Sequence, residues 1–193
     1  MKVTSGINLP EGAWIVLGFL LDGAEPRSGY DLQAQAARSV AHFWPLTKAH
    51  VYTALPRLEA GGYVISTHVE QTGVPDKRVY APTKEGEAAF RTWLTDTDLG
   101  MAKLRHPTLV KTFFGNNLSH DDFSALLDRH EARCLGGIER YTALIQSAEA
   151  SPAAQEARFR LLAIRHGTLS LEADLKWIAE ARKAVGGSFS LSD

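Results

Sequence analysis

Cysteine is nearly absent. Cys134 is the only one in 193 residues, so no intramolecular disulfide and no cysteine-rich zinc site can form. No apolar run reaches the roughly 18–20 residues that a membrane span needs. The longest, Trp14–Leu21, has the length of a core helix and lacks the basic flank and cleavage site of a signal peptide. A surplus of either charge is missing as well, the formal net charge being -1. The first hundred residues hold nine Lys and Arg against eleven Asp and Glu. Any contact with a phosphate backbone must therefore come from a local patch. There is no GxxxxGKS/T or GxGxxG phosphate loop after a strand, no GxSxG nucleophile elbow, and no catalytic grouping of Ser, His and Asp. These absences predict a cytoplasmic protein without a membrane span that is neither an enzyme nor the holder of a cofactor.

What is present is helix punctuation. Asn8, Pro10 and Glu11 read as a capped start for a buried helix through Trp14–Leu21. Ser28 caps a second helix, Gly29–Val40, with Tyr30, Leu32, Ala36 and Ala37 as inward candidates. Thr47 caps a third. In it Val51, Leu55 and Leu58 recur at steps of four and three and form a buried ridge, while Lys48, His50, Tyr52 and Arg57 fall off that spacing. Gly61 and Gly62 end this helix. Pro56 lies inside it and removes the donor for the Tyr52 carbonyl, so the helix either kinks or loses regularity near Leu55.

A β-branched run at Tyr63–Glu70, a Gly- and Pro-containing loop at Gln71–Asp76 and a return at Arg78–Ala81 predict a hairpin. Lys77 and Arg78 lie at its tip and return, placed to touch a phosphate backbone. Thr83 then caps a fourth helix, with Glu85 and Glu87 in its first turn. The order helix, helix, helix, hairpin, helix is that of a winged helix-turn-helix.

The second half reads as long helices. Met101–Asn116 is a helix candidate interrupted by Pro107, and Ser119 caps a long helix after it. That long helix carries the stripe Phe123, Leu126, Leu127, His130, Cys134, Ile138, Tyr141, Leu144 and Ile145, with Gly136 and Gly137 in its middle, where close approach of another helix would account for them. The last helix, Pro152–Val185, carries Ala157, Leu161, Ile164, Thr168, Leu171, Leu175, Ile178, Arg182 and Val185 at alternating steps of four and three. This is a heptad seam. It predicts antiparallel pairing with the preceding helix and then a coiled-coil homodimer through Leu161, Ile164, Leu171, Leu175 and Ile178. The fold class expected is thus mainly α: a winged helix over residues 8–97, a long-helix dimerisation domain over 98–186 and a flexible tail over 187–193.

Seven histidines invite a search for metal ligands. His130 and Cys134 stand at i and i+4 on one helix, an admissible geometry, but no third ligand lies nearby in sequence. His42, His50 and His68 fall on separate elements. The expectation is no metal.

The pieces VLGFLLDG, SGYDL, FWPLTKAHVYTALPRLEAGGYV and GVPDKRVYAPTKEG, in this order and spacing, resemble the PadR-type transcriptional regulators. LVKTFFGNNLS followed by two long helices is similar to the longer subgroup of that family, so the resemblance covers about Trp14–Val185. It implies a homodimeric winged-helix repressor on double-stranded DNA at a promoter palindrome, released by a small, often aromatic, effector. Carried over by position, Thr47, Lys48, His50, Val51 and Tyr52 are the candidates on the recognition helix. Ser28 and Tyr30 match the start of the second helix, whose amides meet a phosphate, and Lys77 and Arg78 match the basic wing. Two departures stand out: Pro56 interrupts the recognition helix, and His50 replaces a small or amide residue, so base preferences do not transfer. No effector residues are assigned, although Trp14, Phe43, Trp44, Phe113, Phe114 and Tyr141 are the aromatic side chains available between the two halves. The alternative reading is a winged-helix protein-interaction module that never touches DNA.

Overall fold

The computed structural model of the chain describes residues 9–41, 43–70, 76–97, 105–150 and 154–186. It divides into two units, residues 1–101 and 102–193. In the first unit helix α1 (Glu11–Leu21) buries Ala13, Val16, Leu17, Phe19 and Leu20. Strand β1 (Arg27–Ser28), α2 (Gly29–Arg38), α3 (Lys48–Ala60), β2 (Val64–Val69), β3 (Lys77–Pro82) and α4 (Lys84–Leu94) follow. This is the winged-helix order with one short strand added in front of α2.

Core formation follows the spacing of the apolar residues. Val51, Leu55 and Leu58 of α3 are buried against α1, together with Leu32, Ala36 and Val64. Burying such side chains stabilises a fold by about 1.5–3 kcal/mol each. At Gly18 a Cβ would lie 2.8 Å from the Phe90 ring, so the glycine lets α4 approach α1. Trp14 stacks on Trp93 at 5.8 Å and tilts against Tyr63 at 6.1 Å, closing the same side of the core.

Several boundaries differ from expectation for local reasons. Pro10 is itself the N-cap of α1 and forms no side-chain cap bond, while Asn8 lies outside the described residues. Helix α2 stops at Arg38 rather than Val40. Helix α3 runs on through Pro56 to Ala60, so its regular part does not end near Leu55. Pro56 sits on its exposed side, where water can reach the carbonyl that the proline leaves without a donor. Gly62, at φ +71°, takes the left-handed position that closes the helix, and the Tyr63 N–H donates to Leu58 O at 2.9 Å.

The sheet order is β1-β3-β2, antiparallel throughout. Val64 pairs with Pro82 and Val69 with Lys77, while Ser28 pairs with Val79. β1 was not legible in the sequence, because two residues carry no alternation. The hairpin tip, residues 71–75, lies outside the described residues.

In the second unit α5 (Pro107–Phe113), a 3-10 turn (Gly115–Asn117), α6 (His120–Glu149) and α7 (Ala154–Gly186) follow one another. Pro107 opens α5 instead of interrupting a longer helix, and residues 101–104 lie outside the described residues. Helices α6 and α7 are antiparallel: Arg182 bonds Glu131, Asp174 meets His130, Leu171 reaches Gly137 and Gly167 reaches Tyr141. A Cβ on Gly137 would lie 2.6 Å from Leu171 Cδ1, whereas one on Gly136 would meet nothing within 4 Å. Close approach thus accounts for the first glycine and not the second. The tail, residues 187–193, lies outside the described residues. No helix of the described residues is long and apolar enough to cross a membrane.

Candidate nucleic-acid interface

Helix α3 presents its outward face through simple rotation. At about 100° per residue, the positions opposite Val51, Leu55 and Leu58 are Ala49 and Thr53, and both are exposed. Lys48 and Tyr52 flank them on one side, His50 and Arg57 on the other. Val51 is wholly buried, which corrects its place among residues facing a ligand: it belongs to the ridge that seats α3 on the core. Ala49 and Thr53 were missed because neither residue type announces itself in a sequence, although the wheel of α3 alone would have found them.

The start of α3 is tightly capped. The Thr47 hydroxyl accepts from the His50 N–H at 3.3 Å, and the His50 Nδ1 accepts from the Thr47 N–H at 3.2 Å. This reciprocal box occupies both side chains and places the His50 proton on Nε2 when the ring is neutral. Lys48 Nζ lies 5.6 Å from the Tyr52 ring centroid, a cation–π distance.

The start of α2 meets the same face. A Cβ on Gly29 would lie 3.0 Å from the Tyr52 ring, so glycine allows Tyr52 to pack over the first turn of α2. Tyr30 is 73% exposed, which corrects its expected inward position. The Ser28 hydroxyl donates to Asp31 Oδ2 at 2.7 Å and accepts from the Asp31 N–H. These bonds and the Ser28 N–H hold the Asp31 carboxyl below its usual value, with Lys77 and Arg27 adding to the effect. The N-terminus of α2 is therefore already served by a carboxylate, and the Ser28 hydroxyl is committed to the cap.

The two wing cations differ. Lys77 is exposed at the first position of β3 and near enough to Asp31 to act on its charge. Arg78 turns back to the far end of α3, where Nη2 meets both Glu59 carboxylate oxygens at 3.0 and 2.8 Å and Nε donates to the Ser66 hydroxyl at 2.7 Å. The Ser66 hydroxyl also bonds Glu59. The Glu59 carboxyl is held below its ordinary value first by Ser66 and then by Arg78. The structure therefore brings together Tyr30, Lys48, Tyr52 and Lys77 around the starts of α2, α3 and β3, and leaves Arg78 paired elsewhere.

The expected dimerisation residues divide likewise. Ile178 is fully buried within the unit, and Leu171 and Leu175 pack beside it against Phe123, Leu126, Leu127 and Cys134. Ile178 is corrected accordingly: α6 covers it, so a second chain has no access. Leu161 and Ile164 are half-buried. The exposed large apolar residues of α7 are instead Phe159, Leu162, Leu169 and Val185, and the first three form a second stripe beside the heptad.

The aromatic effector candidates do not gather within either unit. Trp14 stacks on Trp93, Phe43 and Trp44 are exposed, Phe113 and Phe114 are exposed beside one another, and Tyr141 lines a cavity of about 440 Å³ in the second unit. That cavity also holds His106, His130 and Asp174, whose ligand atoms lie within 4.8 Å of one another. Burial holds the His130 ring below its usual value against the opposing pull of Asp174. Sequence reasoning found His130 alone, since the other two residues come from different elements.

Two family descriptions match the chain: the Transcriptional regulator PadR-like family over residues 16–92 and Virulence activator alpha C-term over residues 104–185. A probable transcriptional regulator of Mycobacterium tuberculosis is 27% identical over 169 residues, which cover 82% of this chain and 89% of that protein. Bacillus subtilis PadR shares the fold: its complex with operator DNA superposes with a TM-score of 0.75 at 18% identity, covering 88% of this chain and 95% of that one. Its complex with p-coumaric acid gives 0.71 at 17% identity, covering 91% and 98%. The Vibrio cholerae virulence activator AphA shares the fold as well, with a TM-score of 0.66 at 20% identity over 89% of this chain and 95% of that one.

Proposed function

This chain belongs to the PadR-like family of transcriptional regulators, and we propose that it works in the cytoplasm as a homodimeric repressor bound to a promoter palindrome. The family is one of regulators, not enzymes. In this reading residues 8–97 bind double-stranded DNA and residues 98–186 hold two copies together. Lys48, Ala49, Tyr52 and Thr53 enter the major groove, while Tyr30 and Lys77 meet the backbone beside it. The observation that carries the reading is the convergence of the starts of α2, α3 and β3 around Tyr52 and Lys77. The operator complex of a protein with the same fold supports it. Two copies would join through the exposed apolar stripe Phe159, Leu162 and Leu169 of α7.

A small aromatic effector would release the DNA by changing the spacing of the two winged helices, and the p-coumaric acid complex of PadR supports that class of ligand. Fluorescence polarisation against the chain's own upstream region tests the whole reading. The expected result is palindrome-selective binding that weakens steeply as salt rises. Equal binding to an unrelated duplex, or none, overturns it. The net charge of -1 favours a second reading, a protein-interaction module. The same measurement separates the two.

A further inference from the structure

Three metal-ligating side chains from three different helical elements meet in the second unit. His106 comes from the N-cap of α5, His130 from α6 and Asp174 from α7. We propose that His106 Nε2, His130 Nε2 and Asp174 Oδ2 bind one divalent transition-metal ion of the zinc class, with a fourth coordination position open to the adjoining cavity. This inference concerns the second unit alone and stands whether or not the chain represses.

The two separations from the shared carboxylate oxygen fit an ion. A tetrahedral zinc centre with bonds of about 2.0–2.1 Å to nitrogen and oxygen sets its donors roughly 3.3–3.4 Å apart. His106 Nε2 lies 3.3 Å and His130 Nε2 lies 3.4 Å from the same Asp174 oxygen. All three ligand atoms fall within 4.8 Å of one another, so small side-chain adjustments close the shell. The donor set, two imidazoles and one carboxylate, suits zinc, cobalt or nickel and not calcium or magnesium, which require oxygen. Exposure of 18% at the His106 side chain, 11% at His130 and 30% at Asp174 leaves the donors partly desolvated yet reachable.

Without an ion, two rings whose centroids are 5.0 Å apart would each direct Nε2 at the same Asp174 carboxylate oxygen. An ion would take a lone pair from each ring and from that oxygen at the point where the three converge. The arrangement also says what loading requires. His106 Nδ1 accepts from the Leu109 N–H at 3.3 Å, which leaves the ring proton on Nε2. Metal binding at Nε2 moves that proton to Nδ1 and releases the Leu109 cap bond, so occupancy alters the first turn of α5.

Cys134 is not a ligand in this arrangement. Its Sγ approaches His130 Nε2 at 3.9 Å, but it does not belong to the set of ligand atoms that all lie within 4.8 Å of one another. Arg133 and Arg140 line the same cavity, so the open position favours a small anion or hydroxide.

The full-length chain, stripped with chelator, would be titrated with ZnCl2 by calorimetry and with CoCl2 by visible absorption. The expected result is one ion per chain, with the intense bands of tetrahedral cobalt and no sulfur-to-metal charge-transfer band. Asp174→Asn and His106→Gln should each weaken binding by at least about tenfold. His120→Gln, at an exposed histidine outside the cluster, and Cys134→Ser should leave it unchanged. Circular dichroism checks the fold of each variant, and the wild-type titration stands even if a variant unfolds. Absence of stoichiometric binding by the wild type overturns the proposal. So does undiminished binding by folded Asp174→Asn and His106→Gln, which would place the ion on surface histidines.

Discussion

Arg78 and Glu59 form a two-pronged pair across nineteen residues of sequence, Nη2 lying 2.8 Å from one carboxylate oxygen and 3.0 Å from the other. The pair turns one of the two wing cations away from the starts of α2 and α3. Lys77→Ala should therefore weaken operator binding more than Arg78→Ala, and lower the slope of log affinity against log salt by about one. Glu59→Gln should strengthen binding by releasing the guanidinium. Equal losses from the two alanine variants would mean that the pair opens on DNA.

The same pair has a pH signature. Ser66 and then Arg78 hold the folded Glu59 carboxyl below its ordinary value. A depressed carboxylate contributes stability above its unfolded pKa and loses it as pH falls through the folded value. Side-chain NMR titration should thus place Glu59 below the ordinary glutamate range, and Ser66→Ala should move it upward. A Glu59 titrating at its ordinary value would show that the Ser66 bond does not persist in solution.

Val51 and Thr53 sit two residues apart and should behave oppositely. Val51→Ala removes buried methyl groups and should cost about 2 kcal/mol of stability, read by denaturant unfolding, with DNA affinity per folded molecule unchanged. Thr53→Ala should leave stability within about 0.5 kcal/mol and change affinity or sequence preference. If Val51→Ala alters sequence preference instead, the orientation of α3 given above is wrong.

Gly136 and Gly137 offer a similar contrast. Gly136→Ala meets open space and should stabilise α6 by about 0.5–1 kcal/mol. Gly137→Ala drives a Cβ to within 2.6 Å of Leu171 Cδ1 and should destabilise by about 1–3 kcal/mol. Thermal unfolding of both variants separates the two effects.

Self-association should follow exposure, not the heptad. Phe159→Glu with Leu162→Glu is expected to yield monomers by light scattering, whereas Ile178→Ala should lower the unfolding midpoint and leave the dimer intact while folded. A wild-type chain that is monomeric at micromolar concentration would remove the dimer.

By itself the sequence determined the helix starts at Ser28, Thr47, Thr83 and Ser119, the ridge Val51, Leu55 and Leu58, and the hairpin, because caps, periodicity and glycine conformations act within a few residues. It also determined which order of elements forms, and hence the winged helix. The sequence did not reveal that Arg78 turns back to Glu59, that Ile178 is consumed inside the α6–α7 pair while Phe159 and Leu162 stay outside, or that His106 and Asp174 join His130. Those outcomes depend on how separate elements pack. The rotation of α7 against α6 and the seating of α5 beside them select which of several equally spaced side chains meet, and spacing along one helix carries no record of its partner's face.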